Sequence, residues 1–286
     1  MRRRWSPAGM GRVLDDAFGL YRAHFGLVIT AALVTVFPVA VIVGLTQVFV
    51  TRGMLALIPE IGTGGPDVLG PLLDLQALSF ASNATAPIFW VARVFLACVL
   101  LHAAGSLYAG RSMTLKEMLR VGWSRLLTFA LVTFALTTGA MVLLFFGIVP
   151  GVVFAARSAL APAVAAVEGA GFEAAFRRSW TLTSGHAWRV IGFYVLVTVF
   201  ALVLEATVTS PSVGRQLVAS IANPEAIFAP VSAWWKTVEG LLSAAAVTLV
   251  VPFAEFAWFF FYADLRARRE GMDLVVRGAD LAGARR

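Results

Sequence analysis

Long apolar runs alternate along this chain with short amphipathic ones. Residues 26–50 carry no charge, nor do residues 126–149. Runs of similar character cover 86–110, 152–167, 188–208 and 238–262. A membrane-crossing helix needs about 20 mostly apolar residues. The pattern therefore predicts six spans, the fourth being the shortest. Pro150-Gly151 is expected to separate spans three and four, because Pro removes a backbone donor and Gly bends freely.

The polar positions have an order of their own. Amphipathic stretches precede spans one, three and five: VLDDAFGLYRAHF (13–25), TLKEMLRVGWSRL (114–126) and GFEAAFRRSWTLTSG (171–185). Each opens with acid, closes with base and gathers aromatic residues and leucines on one helical face. Helices of this type lie in the membrane interface. The chain thus reads as three units of interfacial helix, span, span, a three-fold repeat about an axis along the membrane normal. The connections at 51–85 and 209–235 are rich in Gly or Pro and read as outer loops.

Composition agrees with this pattern. The chain has 286 residues, 59% hydrophobic and 14% charged, with a mean hydropathy of +0.84. Soluble domains are nearer 45–50% apolar and about 25% charged. The expected fold is an all-α integral membrane domain covering 1–286. It comprises a cytoplasmic interfacial segment (1–25), a six-span bundle (26–262) and an Arg-rich cytoplasmic tail (263–286).

Charge sets the expected orientation. The net charge is +7, and only Lys116 and Lys236 of the 23 basic residues are lysines. With the N-terminus inside, 18 basic residues fall in inner segments and three (Arg52, Arg215, Lys236) in outer ones. This asymmetry satisfies the positive-inside rule. It accounts for the basic balance without nucleic acid and predicts a plasma-membrane protein with both termini cytoplasmic. Residues 5–25 are too polar for a signal-peptide core, so the first run is expected to remain as a span. Trp258 and Tyr262 read as an aromatic belt at the end of span six. Beyond them Asp264 and Arg268 have i,i+4 spacing, so the helix is expected to reach about Glu270, with Gly271 stopping it.

Ionisable residues within spans are functional suspects. Arg93 and Arg157 fall in the outer halves of their spans, and Glu205 and Glu239 near the outer ends of spans five and six. Glu255 lies in the inner half of span six beside Pro252. These five could form structural ion pairs or line a polar cavity. His102 reads as a hydrogen-bonded packing residue and Cys98, the single cysteine, as core. No nucleophile–base pair, metal-ligand spacing or cofactor motif is present in the sequence, so a non-enzymatic protein without cofactor is expected.

Residues 167–192 (VEGAGFEAAFRRSWTLTSGHAWRVIG) and 262–274 (YADLRARREGMDL) carry a resemblance. The chain resembles the membrane domain of the bacterial glycerophosphoryl diester phosphodiesterase type. The shared features are a Glu-Gly turn, a paired-basic Ser-Trp helix ending in Gly, and the patterned exit from the last helix. The resemblance marks Arg177, Arg178, Trp180, Asp264, Arg266, Arg268, Glu270 and Asp273 as signature positions. It implies no catalytic residues, because the family's catalytic barrel would need another domain's length.

Arg177, Arg178, Arg189, Arg266, Arg268 and Arg269 are expected to face anionic lipid headgroups or membrane-associated partners. A membrane-protein partner or a second copy of the chain fits the same expectation. The alternative is a transporter or channel for a small solute or lipid, built on the intramembrane charges.

Overall fold

The structure is a computed structural model, and it describes residues 9–62, 69–222 and 233–270. All regular secondary structure among these residues is helical. In chain order the helices are α1 (Met10–Ala23), α2 (Phe25–Thr35), α3 (Phe37–Gly62), α4 (Leu69–Ala84) and α5 (Ala86–Tyr108). They continue as α6 (Leu115–Phe146), α7 (Ile148–Ser158), α8 (Ala161–Glu168), α9 (Phe172–Thr183), α10 (Ala187–Ala222) and α11 (Ala233–Glu270).

Four stretches among the described residues are long and apolar enough to cross a membrane: Leu69–Tyr108, Leu115–Phe146, Ile148–Glu168 and Gly240–Glu270. The number rises to six if each of two bent pairs counts as one span. These pairs are α1 with α2, bent by 82°, and α9 with the first part of α10 (Ala187–Val203), bent by 105°. Exposure supports a hydrocarbon surrounding. Phe145, Phe146, Ile148 and Val149 are 88%, 77%, 76% and 73% exposed. Water would penalise so contiguous an apolar surface, which is compatible with a multi-pass membrane protein.

The chain forms two compact units. One comprises 33–93 and 199–249, in which α3 packs along α4. The other comprises 1–32, 94–198 and 250–286. In it α6 packs against α7, α8 and α9. Its core includes Leu96, Leu100, Met118, Phe129, Leu160, Leu182, Phe256 and Leu265. Phe193 of α10 stacks on Phe261 of α11 at 4.1 Å, and Tyr108 meets Phe260 edge-on at 5.2 Å. Such ring pairs add specificity of orientation to plain contact.

The helix breaks differ from the expected ones in particular places. The turn between α6 and α7 falls at Gly147 (φ 157°, ψ 150°), before Pro150. That backbone conformation is open essentially to glycine alone. Pro150 then sits in the first turn of α7, where backbone N–H groups lack intrahelical partners anyway. The stretch 114–126 is not a separate helix. Thr114 starts α6 with a capping box to Glu117, and the helix runs through to Phe146. Nothing stops it near Leu126, whereas His24 and the Gly185-His186 pair interrupt the other two units. Most of 51–85 is helical as well, in α3 and α4, and 209–222 extends α10. α11 is helical through Glu270, as the i,i+4 pattern expects; Gly271, expected to stop it, lies outside the described residues.

The belt expectation is corrected at Tyr262, which is fully buried; Trp258 is half-buried and packs on Phe193 and Phe261. The phenol finds polar partners inside the protein, so it has no need of the interface.

Candidate functional site

The α7–α8 junction provides the seat for α9. Pro162 cannot donate to the preceding turn, so the chain breaks after Ser158. The freed carbonyl of Arg157 accepts hydrogen bonds from Ser179 Oγ (2.7 Å) and Thr183 Oγ1 (3.2 Å). The Leu160 N–H donates to Ser179 Oγ (3.2 Å), and Trp180 Nε1 donates to Ser158 Oγ (3.0 Å). Ala175, Ser179, Leu182 and Thr183 form the buried stripe of α9 at helical spacing. Two of these four carry hydroxyls, so hydrogen bonds join apolar contact in positioning this helix.

Gly169 ends α8 in the left-handed region (φ 69°) and lets the chain turn into α9. On the adjoining α6, Arg125 Nη1 donates to the carbonyl of Ala166 (2.6 Å). His102 Nδ1 lies 3.3 Å from the same oxygen, so His102 is placed as a packing residue with a polar contact.

Two ionic groups then join α8, α9, α10 and α11. In the first, Tyr262 Oη donates to Glu168, and Arg266 Nη1 donates to Tyr262 Oη (3.2 Å). Arg266 Nε donates to Glu270 Oε2 (2.8 Å). Arg178 donates to the other Glu270 oxygen and, through Nε, to Glu168 Oε1 (3.4 Å). Two cations and two anions balance here. Burial tends to raise the Glu270 carboxyl pKa. The hydrogen bonds from Arg266 and Arg178, with their charges, outweigh it and hold the group below the usual carboxylate range. Desolvation tends to lower the Arg178 guanidinium, but the hydrogen bonds and charges of Glu270 and Glu168 outweigh it and hold the group above its ordinary value.

The second group centres on Asp264, whose side chain is 1% exposed. It accepts from Arg189 Nη2 at 2.8 Å and Nε at 3.2 Å, and from Arg268 Nε at 3.0 Å. One carboxylate thereby holds two guanidiniums.

Four of the six basic residues expected to face lipid (Arg178, Arg189, Arg266 and Arg268) thus make ion pairs with internal carboxylates. The other two differ. Arg177 is highly exposed and makes a surface pair with Glu173 at 3.5 Å, an interaction worth at most about 1 kcal/mol. Arg269 donates from Nε to the Thr181 carbonyl at 3.2 Å, close to the negative end of α9. Trp180, Asp264 and Glu270 are structural partners in the same region. Asp273 lies outside the described residues.

The intramembrane charges divide between the units. Arg157 and Glu255 belong to the unit with α9, and both are half-buried. Arg93 is exposed in the other unit. Glu205 and Glu239 stand on α10 and α11, but their side chains lie outside the described residues. Arg157 stands at the end of α7 that α9 covers, its carbonyl accepting from Ser179 and Thr183.

Glu168, Ser179 and Thr183 are site residues that the sequence reading missed as such. Glu168 had a signal: it is the only carboxylate between Glu117 and Glu173. Ser179 and Thr183 had none, because their role depends on the break after Ser158.

Beside this network lies a groove of about 800 Å³. Phe172, Phe176 and Trp180 recur every fourth residue on α9 and form one wall, with Phe154 of α7 adjoining. Arg177 and Arg269 line it as well. Among the described residues no group of three His, Cys, Asp or Glu side chains could hold a metal ion. In comparisons with known proteins the chain matches no family profile, no curated protein and no solved structure.

Proposed function

We propose that the chain is a non-enzymatic, multi-pass plasma-membrane protein whose cytoplasmic face engages anionic lipid headgroups and, alongside them, membrane-associated partners. The turn of 105° between α9 and the first part of α10 carries the reading. A helix with Glu173 and Arg177 exposed, set across an apolar successor, suits the plane of the headgroups. The 82° turn between α1 and α2 is the same device near the N-terminus.

In this reading α1 and α9 lie at the surface, and the apolar helices that follow them complete six spans. The excess of basic residues in the inner segments places both termini in the cytoplasm. The repeat is carried by the first and third units, while the second keeps its order without the bend. In this reading the chain belongs with the membrane domains of the glycerophosphoryl diester phosphodiesterase type. Ion pairing narrows the lipid contact to Arg177 and Arg269, and leaves Arg178, Arg189, Arg266 and Arg268 to hold the helices in register.

The test is the lipid that accompanies the full chain out of the membrane in mild detergent. A basic residue near the surface contributes on the order of 1 kcal/mol toward anionic lipid, so enrichment of roughly fivefold or more over the bulk membrane is expected. Co-eluting lipid with the bulk composition would contradict the reading. So would proteoliposomes that lose a trapped solute only when the protein is present, since that outcome favours a transporter.

A further inference from the structure

The geometry points to one specific occupant for the groove beside α9: a single anionic phospholipid, its phosphate held by Arg177 and Arg269 and an acyl chain along the aromatic wall. The inference rests on the proposed engagement of anionic lipid and narrows it to one site. Three observations carry it.

The first is the wall. Phe172, Phe176 and Trp180 stand on one stripe of α9, with Phe172 and Phe176 5.2 Å apart and Phe154 stacked on Phe176 at 6.4 Å. Trp180 is fixed by its hydrogen bond to Ser158. A rigid aromatic surface loses little side-chain freedom when a chain is laid on it.

The second is charge. Elsewhere at this end of the unit Arg178, Arg189, Arg266 and Arg268 are directed to carboxylates of low exposure, and Arg125 to the Ala166 carbonyl. Of the two that line the groove, Arg177 pairs with a solvent-exposed carboxylate, Glu173, and Arg269 is anchored through Nε to a carbonyl. Thr181 joins them, since its carbonyl accepts from Arg269 while its hydroxyl donates to the Arg177 carbonyl at 3.0 Å. Guanidinium groups so placed complement a phosphate.

The third is the make-up of the lining. Ala135 of α6 and Phe154 of α7 join the aromatic residues of α9 as an apolar part of the groove, beside the two arginines. A free phosphate would use only the arginine end. A molecule with a charged head and a long apolar tail uses both.

The experiment is native mass spectrometry of the full chain in detergent. The probes are dioleoyl-phosphatidylglycerol and dioleoyl-phosphatidylcholine, added separately and in equal mixture. One phosphatidylglycerol should bind in a saturable step, favoured roughly 30-fold over phosphatidylcholine for two arginine contacts. R177Q/R269Q should abolish the preference, and R177K/R269K should restore most of it. Ala135→Trp should block the step by filling the groove while leaving both arginines in place. Excess inorganic phosphate should not displace the lipid. Anionic enrichment without a one-lipid step, or a step indifferent to R177Q/R269Q and Ala135→Trp, overturns the groove but leaves the broader reading standing. Equal uptake of the two lipids at every stoichiometry overturns both. A step replaced by dimerisation of the chain, or displaced by phosphate alone, also overturns the proposal.

Discussion

Asp264→Ala is expected to lower the stability of the detergent-solubilised protein by about 3 kcal/mol, the lower end of the cost of breaking a buried pair. Asp264 itself is almost wholly buried, but its partners keep 22% and 28% of their side-chain surface exposed. Water can therefore relieve part of the charge left behind on Arg189 and Arg268. The remaining loss is structural, because Asp264 of α11 accepts charge-assisted hydrogen bonds from Arg189 of α10. At roughly 2–4 °C per kcal/mol for a chain of this size, apparent Tm should fall by about 6–12 °C. Arg268→Ala should cost less, since Arg189 still satisfies the carboxylate. Equal Tm values for Asp264→Ala and the unaltered protein would show that this carboxylate does not hold the helices.

Gly151→Leu is expected to disturb the hairpin of α6 and α7. A Cβ at Gly151 would meet Leu144 Cγ at 2.4 Å and the Leu144 backbone nitrogen at 2.7 Å. A side chain could rotate away, but the backbone cannot, so the two helices must separate. Overpacking of this kind costs about 1–3 kcal/mol, and a backbone clash belongs at the top of that range. Small residues let membrane helices approach closely, and packing carries much of their association when lipid is as apolar as leucine. The same thermal assay reads the effect, with an apparent Tm lowered by roughly 5–10 °C expected. A Gly151→Leu protein as stable as the parent would mean that α6 and α7 do not approach so closely.

These two sites differ in how far the sequence announces them. The spacing of Asp264, Arg268 and Glu270 is a local helical pattern, and α11 is helical through Glu270, the last described residue. Paired charges four apart need only a helix to meet. Their partners Arg189, Glu168 and Arg178 lie on other helices, and no periodicity marks which cation reaches which anion. Reading the arginines as lipid-facing followed from counting charge by segment, which ignores carboxylates brought in from elsewhere in the chain. Tyr262 misled for a related reason: an amphipathic side chain at a helix end fits an interface and an internal network equally well.

The breaks were legible only in part. Residues 152–167 read as one apolar run, yet the chain breaks after Ser158, ahead of Pro162. Between Gly147 and Pro150-Gly151 the chain had two adjacent options, and the one with a glycine in an otherwise forbidden conformation lets α6 and α7 pack closely. The unbroken run of α6 through 126 came from a strong start at Thr114 and the lack of any stop. The amphipathic pattern of 114–126 describes a face, and it carries no information about whether the helix ends. The groove was partly visible in the sequence. The aromatic spacing of Phe172, Phe176 and Trp180 was there to see, but Phe154, Ala135 and Arg269 join it only through the fold.

The proposal that α9 lies on the cytoplasmic face together with the C-terminal end is tested most directly by sidedness. In a Cys98→Ser background, Glu173→Cys supplies a thiol at a highly exposed position on α9, and a second variant carries a cysteine added after Arg286. Sealed vesicles of known orientation are treated with a membrane-impermeant maleimide from each side in turn. The account predicts that both positions react from the cytoplasmic side alone. Reaction of either position from the opposite side, or protection of Glu173→Cys from both, would contradict it.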